Sequence, residues 1–503
     1  MRVEEFLRRS SASDPARIVL VTGEARLAFG ELDARSDGLA VSLRNRGVRR
    51  GDRVIVLMEN VWEAAVAIFG VLKAGAVICP VNPSVKAHGL AYVITDSQPR
   101  AVLTQAKFAA LCSEASRGVE APPLAIAAQA TTALPDGMLS FEDCLGTGGS
   151  LPKVGTDNDL AMIIYTSGSA GRPKGVMMTH ANMDFASDAI ASYLENTADD
   201  VVLSALPLSF TYGLYQLLVA VRIGARLVLQ RNFAFPAEIL QNARAEGVTG
   251  LPLVPTMAAV LLAMRDLQSG AWPQLRYVTS AGAALPPAHI GGLGKLFPGA
   301  KLFSMYGLTE CARATYLPPA MIDQKADSVG KAIPGTEIAI VDETGEAAMA
   351  GETGELIVRG RHVMRGYWQN KAATELALRR RHAATWLYTG DLFRADADGF
   401  LYFVGRKDDI VKILGEKVAP KQVEAVLHDC PGVAEAVVVA RPDAVFGHVL
   451  HAVIVPSVEG LSSHEVLRHC SKMLPGVMVP KTVEFRAELP KTASGKVMRR
   501  LVA

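Results

Sequence analysis

Residues 165 to 182 read YTSGSAGRPKGVMMTHAN. Within this short span Thr166, Ser167 and Ser169 carry hydroxyl donors, Lys174 and Arg172 carry positive charge, and Gly168, Gly171 and Gly175 remove Cβ atoms. Without a Cβ the backbone takes positive φ or approaches a ligand closely, so such a loop offers backbone N–H groups, hydroxyls and cations together. A polyphosphate is the guest that uses all three. A surface turn has the same glycine content, but the flanks here are apolar: Leu160-Ala161-Met162-Ile163-Ile164 before the loop and Val176-Met177-Met178 after it. The loop is therefore expected between two buried elements. It is not of the Walker type, which needs Gly-Lys followed by Ser or Thr where this chain has Pro173-Lys174-Gly175.

The elements that must carry this loop alternate between strand and helix periods. Arg53 to Met58 reads as a buried strand, Trp62 to Ala74 as a helix closed by Gly75, and Val77-Ile78-Cys79 as the next strand, a βαβ unit that predicts a parallel sheet. The rhythm returns with a strand at 226–229, a helix at 236–246 ended by Gly247, a strand at 248–253, a helix from Thr256 and a strand at 275–278. Two similar α/β halves are expected. The segment 114–155 is poorer in pattern and reads mostly as loop. After residue 330 the texture changes to short strands such as 337–341 and 354–358, a small β subdomain. Beyond GRKDD at 405–409 a helix at 420–429, strands at 433–440 and 448–456, a helix at 462–474 and a strand at 482–486 make a compact α+β module. The expected division is 1–405 for the large N-terminal domain and 406–503 for the C-terminal one.

With 503 residues the chain is too long for one core. Fifty-two basic residues stand against 50 acidic ones, a balance of +2 that gives no footprint for nucleic acid. The six cysteines are scattered, with no C-x-x-C pair and no zinc spacing, and are read as reduced thiols of a cytoplasmic protein. The start MRVEEFLRRSSASD lacks the apolar stretch of a secretory signal, and no uninterrupted apolar run is long enough to span a bilayer.

Four further stretches join the opening loop: MYGLTE at 305–310, LYTGDL at 387–392, GRKDDIVKILGEKVAP at 405–420 and PKTASGK at 490–496. In this order and spacing the five resemble the adenylate-forming superfamily of acyl-CoA and aryl-CoA synthetases, firefly-type luciferases and the adenylation domains of nonribosomal peptide synthetases. The resemblance covers essentially the whole chain. It implies an α/β fold whose large N-terminal domain holds two similar α/β subdomains and a small β subdomain, followed by a mobile C-terminal α+β domain. The implied chemistry is attack of a carboxylate on the α-phosphorus of ATP, with Mg2+, to give acyl-AMP, then capture of the acyl group by a thiol.

The resemblance also carries roles onto this sequence. Lys496 matches the catalytic lysine, and charge crowding on a five-coordinate phosphorus is what a preorganised ammonium stabilises. Lys174 with Thr166, Ser167, Gly168, Ser169 and Gly171 would hold the β- and γ-phosphates. Glu310 matches the magnesium-associated glutamate, an acidic donor suited to a hard cation, and Thr309 would contact the α-phosphate. Asp391, assisted by Arg406, would bind the ribose hydroxyls. Tyr306 with Gly307 and the strip Gly282-Ala283-Ala284 would flank the adenine. Asp408 matches the hinge about which the C-terminal domain turns between half-reactions, and Gly415 the loop lining the thiol tunnel. Ala170 departs from the family's usual pattern, in which a second hydroxyl residue stands there.

The stretch PLSFTYGLYQLL at 207–218 occupies the place where amino-acid-activating relatives carry an aspartate after the phenylalanine. Here that position is Thr211, and a buried ammonium without a partner carboxylate is strongly disfavoured. The expected substrate is an acid without a free amine. Phe210, Tyr212, Leu214, Met257, Ala281, Met305 and Ala312 complete a pocket expected to be apolar, suited to a hydrophobic carboxylic acid. Free coenzyme A and the phosphopantetheine of a carrier protein both remain as acceptors, with coenzyme A favoured because no carrier-like segment is recognisable in the chain.

Overall fold

The computed structural model describes residues 1–502 apart from 147, 148, 150, 167–172, 265, 266, 410, 414, 415, 444–446 and 492–496, and only the backbone of 408, 412, 416, 417, 447 and 500. Among the described residues the strands form two large sheets and three smaller ones. The nine-stranded sheet runs, in spatial order, from Lys331–Ala332 through Thr315–Tyr316, Lys301–Tyr306, Tyr277–Ser280, Gly250–Leu253, Val201–Ser204, Arg226–Leu229 and Ile18–Thr22 to Ala25–Ala28. Its middle is parallel and its edges antiparallel. The eight-stranded sheet runs from Gly366–Tyr367 through Lys174–Thr179, Leu160–Thr166, Val77–Pro80, Arg53–Leu57, Ala101–Gln105 and Leu124–Ala128 to Met138–Ser140. The two expected α/β halves are these sheets and the helices that cover them.

The helices form where the sequence marks their ends. Pro236–Glu246 starts on a proline, whose missing N–H costs nothing in a first turn, and stops at Gly247 in the left-handed region. Trp62–Lys73 is apolar almost all round and is buried almost entirely, between sheet and neighbouring helices. Two readings shift. The strand placed at 275–278 is Tyr277–Ser280, because pairing with Gly250–Leu253 on one side and Lys301–Ser304 on the other fixes its register. The segment read as loop at 114–155 contributes the strands Leu124–Ala128 and Met138–Ser140 at the sheet's edge, whose alanine-rich or very short runs give little periodic signal.

The β subdomain is a five-stranded sheet built on Glu337–Val341, Thr353–Arg359, Leu378–Arg381, Ala384–Ala395 and Leu401–Arg406. After the short turn Lys407–Asp409 comes the C-terminal module, in which Val433–Asp443 pairs antiparallel with Gly447–Pro456 and Thr482–Phe485 adds in parallel. Helices Pro420–His428 and Ser463–Met473 bury Val423, Leu427, Val466 and Cys470 against this sheet. All six cysteines are buried and none forms a disulfide. Among the described residues no helix is long and apolar enough to cross a membrane.

Candidate active site

The opening loop joins the two strands of an antiparallel hairpin, Leu160–Thr166 and Lys174–Thr179, with Thr166 paired to Lys174 at its neck. Both residues are thus held by a ladder rather than by the loop. Gly175 needs its missing side chain for a reason other than ligand approach: a Cβ there would lie 2.8 Å from Ile163 and 3.2 Å from Trp368, so the strand could not seat. The neck is clamped further by Trp368, whose N–H donates to the Gly175 carbonyl at 2.7 Å, and by Tyr92, whose hydroxyl donates to the Pro173 carbonyl at 2.8 Å.

The strand Gly366–Tyr367 pairs with this hairpin and brings Tyr367, unnoticed in the sequence, to the site. The Tyr367 hydroxyl donates to Glu310 Oε1 at 2.7 Å, and the Lys174 ammonium stands 5.1 Å from the centre of the same ring. Burial and the neighbouring Glu310 carboxylate push the Tyr367 phenol well above its ordinary range, so it remains a donor. The Glu310 backbone is held as well, its carbonyl accepting from the Met364 N–H at 2.7 Å.

Four residues before Glu310, Tyr306 donates its hydroxyl to Asp391 Oδ2 at 2.6 Å. Asp391 and Arg406 face each other across adjacent strands, and Arg406 Nε lies 3.5 Å from Asp391 Oδ1. The turn before Asp391 is set by Glu355, also missed from sequence. Its carboxylate accepts from the Gly390 N–H at 3.0 Å and from Lys407 at 2.9 Å. The Thr389 hydroxyl accepts from the Asp391 N–H, leaving the Asp391 carboxylate turned toward Tyr306. The strip Gly282-Ala283-Ala284 is exposed just past the strand Tyr277–Ser280, while Ala281 is buried.

The candidate acid pocket lies along the helix Thr211–Ile223, entered from Phe210. Leu214 and Met305 are buried, and Thr211, Tyr212, Met257 and Ala312 are partly so. Its wall is more polar than expected. The Tyr212 hydroxyl meets the Thr279 hydroxyl at 2.7 Å, the Tyr193 hydroxyl donates to the Met305 sulfur at 3.1 Å, and the guanidinium of Arg313 stacks 4.9 Å above the Tyr212 ring. Arg313 is 4% exposed. It enters through a strained turn: Ala312 has φ +58°, and the Arg313 N–H bonds the Cys311 carbonyl two residues back at 2.6 Å. Gly307 is required beside this turn, since a Cβ on it would lie 2.5 Å from the Ala312 carbonyl oxygen.

Ser167, Gly168, Ser169, Ala170, Gly171, Gly415 and Lys496 lie outside the described residues, as does the side chain of Asp408. Thr309 lies in the described turn between Tyr306 and Glu310.

One segment, Met305 to Glu310, thus has three attachments: Glu310 to Tyr367 beside Lys174, Tyr306 to Asp391 beside Arg406, and Met305 to Tyr193. The family of AMP-binding enzymes matches residues 7–368, and the C-terminal domain of AMP-binding enzymes matches 422–496. The chain belongs to the AMP-binding enzyme family. It is 32% identical to a probable CoA ligase of Humulus lupulus, over 99% of this chain and 95% of the relative. It is equally identical, at 32%, to an indoleacetate–CoA ligase of Aromatoleum aromaticum over 100% of this chain and 98% of the relative. ATP-bound MatB from Rhodopseudomonas palustris superposes with a TM-score of 0.90 at 30% identity, covering 100% of this chain and 98% of that one. This member of the AMP-binding enzymes is an AMP-forming acyl-CoA ligase that works through an acyl-adenylate.

Proposed function

We propose that the protein activates a carboxylic acid with an apolar body and no free amine, and passes the acyl group to free coenzyme A. The observation that carries this reading is the double attachment of one short segment, Tyr306 to Asp391 and Glu310 to Tyr367 beside Lys174. A nucleotide laid along it has its sugar at one end and its phosphates at the other.

In the first half-reaction the acid's carboxylate oxygen bonds to the α-phosphorus of ATP as the bond to pyrophosphate breaks. Lys174 and the hydroxyls of the loop hold the β- and γ-phosphates, and Thr309 steadies the α-phosphate. Asp391 and Arg406 hold the ribose, and Tyr306 and Gly307 with Gly282-Ala283-Ala284 bracket the adenine. Lys496 supplies the ammonium beside the reacting phosphorus, where a preorganised charge is most effective. Glu310 would hold a magnesium ion, its carboxylate being the kind of oxygen donor that a hard cation takes. That ion, when bound, neutralises charge on the phosphates.

In the second half-reaction the thiol sulfur attacks the acyl carbonyl and AMP leaves. Residues 406–503 form the domain that turns about Asp408, withdrawing Lys496 and bringing Gly415 to the thiol's path. The absence of an amine on the substrate follows from Thr211, which offers no carboxylate, and from the Arg313 guanidinium buried in the pocket wall, which repels an ammonium. Pyrophosphate release measured on matched acids and amino acids, with and without coenzyme A, tests the reading. Acids alone should release pyrophosphate, and thioester should form only with coenzyme A. Equal activation of the amino acids would overturn it.

A further inference from the structure

We propose that Arg313 reads a second carboxylate on the acid, so that the preferred substrate is a dicarboxylate with an apolar body between its two ends. The proposal deepens the acyl-CoA ligase reading and rests on it. Three cations are buried among the described residues, and two of them are paired. Arg2 meets Glu4 at 2.5 Å and Asp159 at 3.0 Å, and Lys73 meets Asp33 at 2.5 Å and Asp37 at 3.1 Å. Arg313 forms no ion pair among the described residues; Tyr193 is its neutral hydrogen-bonding neighbour, and its Nε is buried without a hydrogen-bond partner.

A buried guanidinium is strongly disfavoured without a counter-charge. Stacking on Tyr212 and the neutral Tyr193 hydroxyl offset only a part of that, since neither carries a counter-charge. The planar fork of an arginine matches a carboxylate with two parallel hydrogen bonds, which an ammonium cannot do. A second orphan stands nearby: the Tyr215 hydroxyl, one helical turn from Tyr212 and within the guanidinium's field, is buried and has no hydrogen-bond partner. A carboxylate reaching this corner would satisfy both donors. Arg313 lies only three residues after Glu310 in the chain, so the corner it occupies is close in sequence to the nucleotide side.

The test uses the full chain with ATP and coenzyme A and four matched pairs: succinate and butyrate, glutarate and pentanoate, adipate and hexanoate, terephthalate and benzoate. For the pair whose length fits, kcat/KM should favour the dicarboxylate by about 100-fold, the scale on which a site built for a polar group rejects an analogue lacking it. Arg313→Met should reverse that ratio, and Arg313→Lys should keep only part of the preference. A wild-type preference for the monoacid in all four pairs, or the same ratio in Arg313→Met, overturns the proposal. A second measurement is independent of turnover. The preferred dicarboxylate should raise the melting temperature of the wild type and not that of Arg313→Met, and equal shifts in both also overturn it. If no acid yields thioester, the ligase reading fails, and the melting shifts still decide the role of Arg313.

Discussion

The Tyr367 hydroxyl donates a 2.7 Å hydrogen bond to Glu310, and the same ring carries the Lys174 ammonium on its face. One tyrosine thus fixes both the acidic residue that suits a hard cation and the lysine that suits a phosphate. The three come from a hairpin strand, a loop and an edge strand, so their spacing is held by sheet pairing rather than by local turns.

Tyr367→Phe removes the hydroxyl and keeps the ring. A hydrogen bond to a charged group contributes about 1.5–3 kcal/mol, and partial solvent access lowers that, so adenylate formation should slow by about tenfold. The magnesium concentration for half-maximal rate should rise, while thioester formation from supplied acyl-AMP stays near wild type. Steady-state rates of pyrophosphate release against magnesium check this, and an unchanged magnesium dependence would show that Glu310 needs no such support.

Lys496→Ala should reduce adenylate formation by about 10² to 10³ or more, the loss typical of one preorganised donor at developing charge. Transfer from supplied acyl-AMP to coenzyme A should remain largely intact, because only the first step builds charge beside that ammonium. Separate assays of the two half-reactions check the contrast, and equal losses in both would remove Lys496 from its assigned step.

Asp408 sits within the short turn Lys407–Asp409 that leads from the β subdomain into the C-terminal module. Asp408→Pro fixes φ near −65° and deletes an N–H. The variant should release pyrophosphate with ATP and acid yet transfer little acyl group to the thiol. Normal overall turnover would rule out a rotation centred there.

Ala312 holds a φ of +58°, which costs a residue with a Cβ about 1 kcal/mol relative to glycine. Ala312→Gly should therefore raise the melting temperature by about 1–2 °C in a chain of this size. It should also loosen the turn that delivers Arg313, raising KM for the acid while leaving KM for ATP unchanged. Calorimetry and acid-titrated kinetics together check this. A lower melting temperature would show that the Ala312 methyl contributes more by packing than its backbone costs.

The sequence determined everything that depends on a residue and its near neighbours. The helix Pro236–Glu246 and the strands Arg226–Leu229 and Glu337–Val341 fall on the expected residues, because a proline, a glycine and an apolar run act over one or two turns of chain. The order of the five motifs was enough to name the family and its chemistry. Tertiary structure alone decided which side chains meet. Tyr367 is 57 residues from Glu310, Glu355 is 35 from Gly390 and Arg313 is 101 from Tyr212, and no local pattern marks any of these pairs. They meet because strands distant in sequence become neighbours in a sheet and because a strained turn at Ala312 carries a guanidinium onto the Tyr212 ring. Periodicity records which face of an element is buried, and a buried polar contact depends on what the opposing element brings to that face.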